Sequence, residues 1–242
     1  MDLRPLVLGH RGASAAEPEN TRAAFARARA MGADGVELDA RRTSDGVVVV
    51  HHDPHLGDGS LILDRDFATL RKGDPAVPTL EEALDECRGM LVNVEIKCCA
   101  WDPDPDTPEH DLVASVVATI RECEAEVIVS SFDLDNIDAC RAFAPELATG
   151  WLTHDQELAP AASVAAAHGH KWLNPDRRRA LAARSGDVRA VHEQGLSIAV
   201  WTVDAPDEIV ALADLGVDAI ITNVPDVALQ ALGRLSGPNS DP

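Results

Sequence analysis

Met31-Gly32-Ala33-Asp34-Gly35-Val36 and Leu215-Gly216-Val217-Asp218-Ala219-Ile220 are nearly the same phrase, written close to the two ends of the chain. In each, a glycine ends a helical pattern and an apolar strand starts soon after. Glycine at that place supplies the left-handed residue on which helices commonly close. The phrase reads as the helix-to-strand joint of a βα unit, and its recurrence predicts a chain made by repeating that unit.

Working outward, short apolar runs at 5–9, 34–39, 91–96, 126–130, 147–152, 171–173, 196–201 and 218–222 read as eight strands. Near-continuous apolarity over four to six residues is what parallel strands buried on both faces show. Amphipathic stretches lie between them and carry start signals: Glu19-Asn20-Thr21, the capping-box pattern Thr79-Leu80-Glu81-Glu82, Asp133, and Pro206 after Asp204-Ala205. An open doubly wound sheet would call for a nucleotide-binding fingerprint, which is missing. The prediction is a single (β/α)8 barrel over residues 1–235, and the 242 residues of the chain match the roughly 250 typical of that fold. One segment breaks the rhythm. Asp45-Gly46 is a tight-turn dipeptide, so 47–51 reads as an extra strand returning beside the second. Residues 53–78 then form a short insertion over the barrel mouth, and the polar tail 236–242 is expected to fray.

Lys plus Arg number 21 against 41 Asp plus Glu, a formal charge of −20, which disfavours nucleic acid and anionic membrane as partners. A small anion can still bind where local cations or a metal override that field. No basic segment followed by an apolar one opens the chain, and no apolar run approaches the ~20 residues of a membrane helix. Five cysteines without CxxC spacing fit a reducing compartment. A cytoplasmic enzyme, monomeric or a small homo-oligomer, is expected.

The chemistry starts at Glu37-Leu38-Asp39. Alternate residues of a strand share a face, so Glu37 and Asp39 project together at the C-terminal end of the second strand, where barrels keep their sites. Glu95-Ile96-Lys97 repeats the pattern at the end of the strand at 91–96. Three carboxylates in one mouth need a counter-cation, and an all-oxygen set suits a hard ion, Mg²⁺ or Ca²⁺, with Mn²⁺ also admissible. Rim carboxylates in ordinary salt bridges are the plainer alternative. His10 and His52 each end a strand on the same rim and form a pair suited to acid–base work. Arg11 offers a planar fork for phosphate oxygens and Lys97 a second cation. Together they fit a phosphodiester better than a sugar or a carboxylic acid.

His10-Arg11-Gly12, Glu19-Asn20-Thr21, Val36-Glu37-Leu38-Asp39, Asp45-Gly46-Val47, His52-Asp53 and Val94-Glu95-Ile96-Lys97 resemble the glycerophosphodiester phosphodiesterase family. Trp201-Thr202-Val203 and Ile221-Thr222-Asn223 with Pro225-Asp226 extend the resemblance over nearly the whole chain. It implies a (β/α)8 barrel in which Glu37, Asp39 and Glu95 hold one divalent metal and His10 and His52 act as acid and base. Arg11 and Lys97 would hold the phosphate. Trp201 would lie against the glycerol or alcohol, although packing inside the barrel fits it equally. The implied reaction is hydrolysis of a glycerophosphodiester to glycerol 3-phosphate and an alcohol, by way of a cyclic phosphate or by direct attack of water.

The chain departs from the family pattern at Leu56-Gly57-Asp58-Gly59 and at Cys98-Cys99, which read as packing residues. Trp101-Asp102-Pro103-Asp104-Pro105-Asp106 lacks the glycine and closing glutamate of a calcium loop and reads as a solvated acidic cover. Arg177-Arg178-Arg179 reads as an exposed basic stretch, with docking of a second anion as its sharper reading. Two other functions compete with hydrolysis: a lyase on lysophospholipid or sphingolipid head groups that stops at a cyclic phosphate, and a non-catalytic phosphodiester-binding module.

Overall fold

The computed structural model describes residues 4–97 and 110–235. The expectations for Met1 to Leu3, Cys98-Cys99, the acidic stretch from Trp101 to Asp106 and the tail from Ser236 lie outside those residues.

Eight strands run parallel: β1 (Leu6–His10), β2 (Gly35–Arg42), β4 (Leu91–Ile96), β5 (Glu126–Ser131), β6 (Ala148–Thr153), β7 (Trp172–Pro175), β8 (Ser197–Val200) and β9 (Ala219–Thr222). Each pairs with the next, and β1 pairs with both β9 and β2, so the sheet closes on itself. The extra strand, β3 (Val48–Val50), is antiparallel to β2, with Ala40 opposite Val50. This is the barrel read from the sequence, with the returning strand where Asp45-Gly46 placed it.

Helices α1 (Arg22–Met31), α3 (Leu80–Glu86), α4 (Asp111–Glu122), α5 (Leu134–Phe143), α6 (Leu158–His168), α8 (Ser185–Glu193), α9 (Pro206–Leu215) and α10 (Pro225–Ala231) lie between and after the strands. Their ends follow the sequence signals. Thr79 and Glu82 form a reciprocal capping box, and Asp133 caps α5 through the amide of Asp135. Gly32 and Gly216 close α1 and α9 at φ 88° and 94°, so the repeated phrase is the same joint twice. Two helices carried no signal strong enough to read. α2 (Phe67–Gly73) lies within the insertion, where Ile62, Leu70 and Val77 pack on Val49 of β3. The one-and-a-half-turn α7 (Arg177–Ala182) follows β7.

Most of the core lies between the barrel and its helices. Val36, Leu38 and Ala40 of β2 and Val92, Val94 and Ile96 of β4 face α1, α3 and α4. A second cluster, with Ile198, Val200 and Ile220, lies under α6, α8 and α9. Inside the barrel, Leu8, Ala199, Ala219 and Ile221 pack with Leu6, Leu91 and Trp172 to plug the lower end. The upper interior is polar, and the site lies there.

Candidate active site

Strand alternation does the placing. With Val36, Leu38 and Ala40 turned outward, Glu37 and Asp39 turn into the barrel, where both are buried. Parallel register sets Asp39 opposite Glu95 on β4 and Glu37 opposite Asn93. The two motifs, far apart in sequence, thus become neighbours. One oxygen from each of Glu37, Asp39 and Glu95 lies within 4.8 Å of the other two.

Two cations border this cluster. Lys97 Nζ is 2.7 Å from Glu95 Oε1 and 3.1 Å from Asp39 Oδ1. Arg11 Nε is 3.2 Å from Asp39 Oδ2, while its Nη1 donates to Glu19 Oε1 at 2.8 Å. Arg11 has φ 56°, and its backbone N–H donates to Glu37 Oε2 at 3.0 Å. Even so, Glu37 Oε1, Asp39 Oδ1 and Glu95 Oε1 accept no well-directed hydrogen bond. Buried oxygens in that condition, all hard donors, fit a divalent cation. The three carboxylates against Arg11 and Lys97 leave one formal negative charge.

The crowding of three carboxylates shows in their titration. Burial pushes Glu37 well above the ordinary carboxylate range, and Asp39 and Glu95 push it the same way. Burial also raises Glu95, against the pull of Lys97. For Asp39 burial acts upward too, but Lys97 and Arg11, helped by His52 and Asn20, outweigh it and hold this group far down. Burial would lower Lys97; Glu95 and Asp39 raise it instead.

His10 and His52 flank the cluster. His10 Nδ1 meets Asn223 Oδ1 at 2.7 Å, leaving Nε2 on the Glu37 side, 3.9 Å from Oε2. Burial and then Arg11 lower its pKa. His52 Nδ1 meets Asp53 Oδ1 at 2.7 Å, its carbonyl accepts from Arg41 Nε at 2.8 Å, and burial and then Lys97 lower its pKa. Each ring therefore has one nitrogen engaged by an acceptor and the other available.

Trp201, just past β8, donates its indole N–H to Asn174 O at 2.7 Å. Its ring meets Phe132 edge-on at 5.4 Å and His154 edge-on at 5.1 Å, and those two stack at 4.5 Å. It also packs against the interior plug.

Residues 10–227 match the Glycerophosphoryl diester phosphodiesterase family. The chain belongs to that family. The matched span starts at His10 and includes every site residue named above. A Glycerophosphodiester phosphodiesterase of Caldanaerobacter subterraneus subsp. tengcongensis is 30% identical, over 96% of this chain and 99% of its own. Among solved structures, a phosphodiesterase of Oleispira antarctica in complex with the product sn-glycerol-3-phosphate superposes with a TM-score of 0.82 at 25% identity, covering 95% of this chain and 97% of that one. A glycerophosphodiester phosphodiesterase from Thermotoga maritima gives a TM-score of 0.80 at 29% identity, over 95% and 98%.

Sequence reasoning missed the supports of this phosphodiesterase-family site. Asn20 was a helix-start signal; in the fold Thr21 caps α1 and Asn20, buried at φ 57°, donates from Nδ2 to Asp39 Oδ2 at 2.7 Å. Asn223 carries His10 and is itself gripped by Asp204, which accepts from its Nδ2 at 2.7 Å and its backbone N–H at 2.8 Å. Phe132 and His154 stand one residue past β5 and β6, so the strand-end rule that found the other site residues would have found these. The run Arg177-Arg178-Arg179 is exposed, as its plainer reading has it. Its three guanidiniums pair with Glu208, Asp176 and Asp155 at 2.7, 2.9 and 3.7 Å.

Proposed function

We propose that the chain is a glycerophosphodiester phosphodiesterase that hydrolyses glycerophosphodiesters to glycerol 3-phosphate and an alcohol with one divalent ion held by Glu37, Asp39 and Glu95. The observation that carries this reading is the convergence of those three buried carboxylates with Arg11, Lys97 and two histidines on one barrel rim. Family membership and the product named for the Oleispira antarctica protein support the substrate class.

When bound, a divalent ion supplies Lewis acidity toward a phosphate oxygen and a glycerol hydroxyl. The chain's own residues do the rest. Arg11 and Lys97 hold the phosphate between them, Arg11 with a planar fork and Lys97 with a point charge. Depressed pKa values keep His10 and His52 neutral near pH 7, so one is ready as base. A phosphodiester anion settling beside the other favours its protonated form and equips it as the acid. One histidine takes the proton of the attacking glycerol hydroxyl while the other protonates the departing alkoxide, which leaves a cyclic phosphate; water then opens that ring to glycerol 3-phosphate with the two histidines' roles reversed. Asn223 and Asp53 hold the two rings in the tautomers that aim the free nitrogens inward. Trp201, with Phe132 and His154 behind it, offers an apolar wall to the glycerol or alcohol. Among the described residues no helix is long and apolar enough to cross a membrane, which agrees with a small, water-soluble substrate. A cytoplasmic setting belongs to the same reading and rests on the cysteine pattern of the sequence, five cysteines without CxxC spacing.

The test is a product assay on glycerophosphocholine, glycerophosphoethanolamine and glycerophosphoglycerol with Mg²⁺, Ca²⁺ or Mn²⁺. Release of glycerol 3-phosphate supports the reading. Release of a stable cyclic phosphate, or tight binding without turnover, overturns it.

A further inference from the structure

Away from the mouth, Asp138, His168 and His170 form a second cluster of ligand atoms, with one from each residue lying within 4.8 Å of the others. It joins two neighbouring βα units. Asp138 lies on α5, His168 is the last residue of α6, and His170 follows the capping Gly169 and precedes β7. It therefore sits at the end of the barrel where strands begin, opposite the catalytic rim.

Three observations separate this cluster from a chance surface ion pair. Asp138 engages both rings through different oxygens, Oδ2 with His168 Nδ1 at 2.7 Å and Oδ1 toward His170 Nε2 at 3.4 Å. The His170 side chain is fully buried, yet its Nε2 has no hydrogen-bond partner and points into the cluster. Its other nitrogen, Nδ1, meets the Thr149 hydroxyl at 2.9 Å. When Nδ1–H donates to that hydroxyl, the lone pair of Nε2 faces Asp138, the arrangement metal-binding histidines show. The two imidazoles are near-parallel at 6.0 Å, and Arg141 donates to the carbonyl of His168, pinning the turn that carries both. Ligands held in place before binding lose little entropy on binding.

We propose that Asp138, His168 and His170 form a second metal site, selective for a borderline ion of the Zn²⁺ class and distinct from the oxygen-only catalytic cluster. Two imidazole nitrogens and one carboxylate suit Zn²⁺, Ni²⁺ or Cu²⁺ and disfavour Mg²⁺ and Ca²⁺. Such an ion replaces the proton shared between Asp138 and His168 and ties α5 to the α6–β7 joint. Its effect is on stability, since none of the catalytic groups touches it.

The test is Co²⁺ titration of the full chain, first stripped with chelator and then saturated with Mg²⁺ to hold the carboxylate site, read by visible absorption and competed with Zn²⁺. His168→Ala and Asp138→Asn, at two partly exposed positions, are titrated in parallel, and circular dichroism checks that both fold. The expected result is one equivalent of Co²⁺ bound in an imidazole-rich environment and displaced by Zn²⁺. Either substitution should weaken it at least about tenfold, while glycerophosphodiester turnover in Mg²⁺ stays unchanged. Zn²⁺ should also raise the Tm of the wild type and not of the variants. The proposal is overturned if Mg²⁺-saturated protein binds no Co²⁺, or binds it equally in wild type and both variants. Because the readout is ion binding and Tm, it stands or falls apart from the phosphodiesterase reading.

Discussion

Asn223 Oδ1 lies 2.7 Å from His10 Nδ1, and Asp204 grips the same asparagine from behind through its side-chain and backbone N–H groups. Asp204 fixes which end of the amide faces His10. The amide oxygen then requires a proton on Nδ1 and leaves Nε2 facing the carboxylate cluster.

Asn223→Ala should therefore cost kcat about 10- to 100-fold with little change in KM, because the ring is misdirected while phosphate and metal groups are untouched. Asn223→Asp should raise the His10 pKa, since a carboxylate beside the ring favours the imidazolium. NMR titration of the His10 ring reads this directly. An unchanged His10 titration in the aspartate variant would contradict the arrangement.

Glu37 is buried beside two other carboxylates, a charge held in place at the expense of stability. Glu37→Gln removes like-charge repulsion and a desolvated charge. In chelator, this variant should melt several degrees above the wild type. Its turnover with Mg²⁺ should nonetheless fall by about 10³-fold or more, as loss of a catalytic ion requires. Calorimetry and a rate assay on the same sample check both halves.

Gly12 has φ 82°, and a Cβ there would stand 2.6 Å from the Ala24 carbonyl carbon and 2.7 Å from its Cβ. Gly12→Ala must push α1 away from the loop that carries Arg11. A loss of about 2–4 kcal/mol in urea unfolding is expected, with an activity loss beyond what the unfolded fraction explains.

At the opposite end of the barrel, Asp34 accepts from the Val7 amide at 2.7 Å and from both Arg234 nitrogens at 2.6 and 2.7 Å. Partial burial acts to raise its pKa, but the bonds to Arg234 and Val7 outweigh that and lower it. A depressed carboxylate stabilises the fold above its unfolded pKa, and the gain is lost as pH falls through the folded value. Asp34→Asn should lower stability by about 1–2 kcal/mol at neutral pH, and the gap should shrink toward zero in acid. Urea titrations across that range measure it.

The sequence made the barrel legible because its signals are local and repeated: Gly32 and Gly216 at two copies of one joint, and apolar runs of parallel-strand length. Glu37, Asp39 and Glu95 were legible for a related reason, since period-two alternation at a strand end says where a side chain points. Asn20, Asp204 and Asn223 were not. Asn20 reaches from the turn after β1 to Asp39 on β2, and Asp204 and Asn223 join the turns after β8 and β9 to His10, contacts that no local pattern encodes. Helix α2 was hidden because its seven residues are too few for a period to show, and only Leu70 of them is buried. Trp201 was readable as either wall or packing, and in the fold it touches both the aromatic group at the mouth and the plug below.

The central claim is that the buried carboxylates, the two cations and the two histidines hydrolyse a glycerophosphodiester with the help of a divalent ion. The most direct test is the rate of glycerol 3-phosphate release from glycerophosphocholine and its relatives before chelation, in excess EDTA, and after restoring Mg²⁺, Ca²⁺ or Mn²⁺. The account predicts turnover that vanishes in EDTA and returns with at least one of these ions. Undiminished turnover in EDTA, or no turnover of any glycerophosphodiester with any of the three, would contradict it.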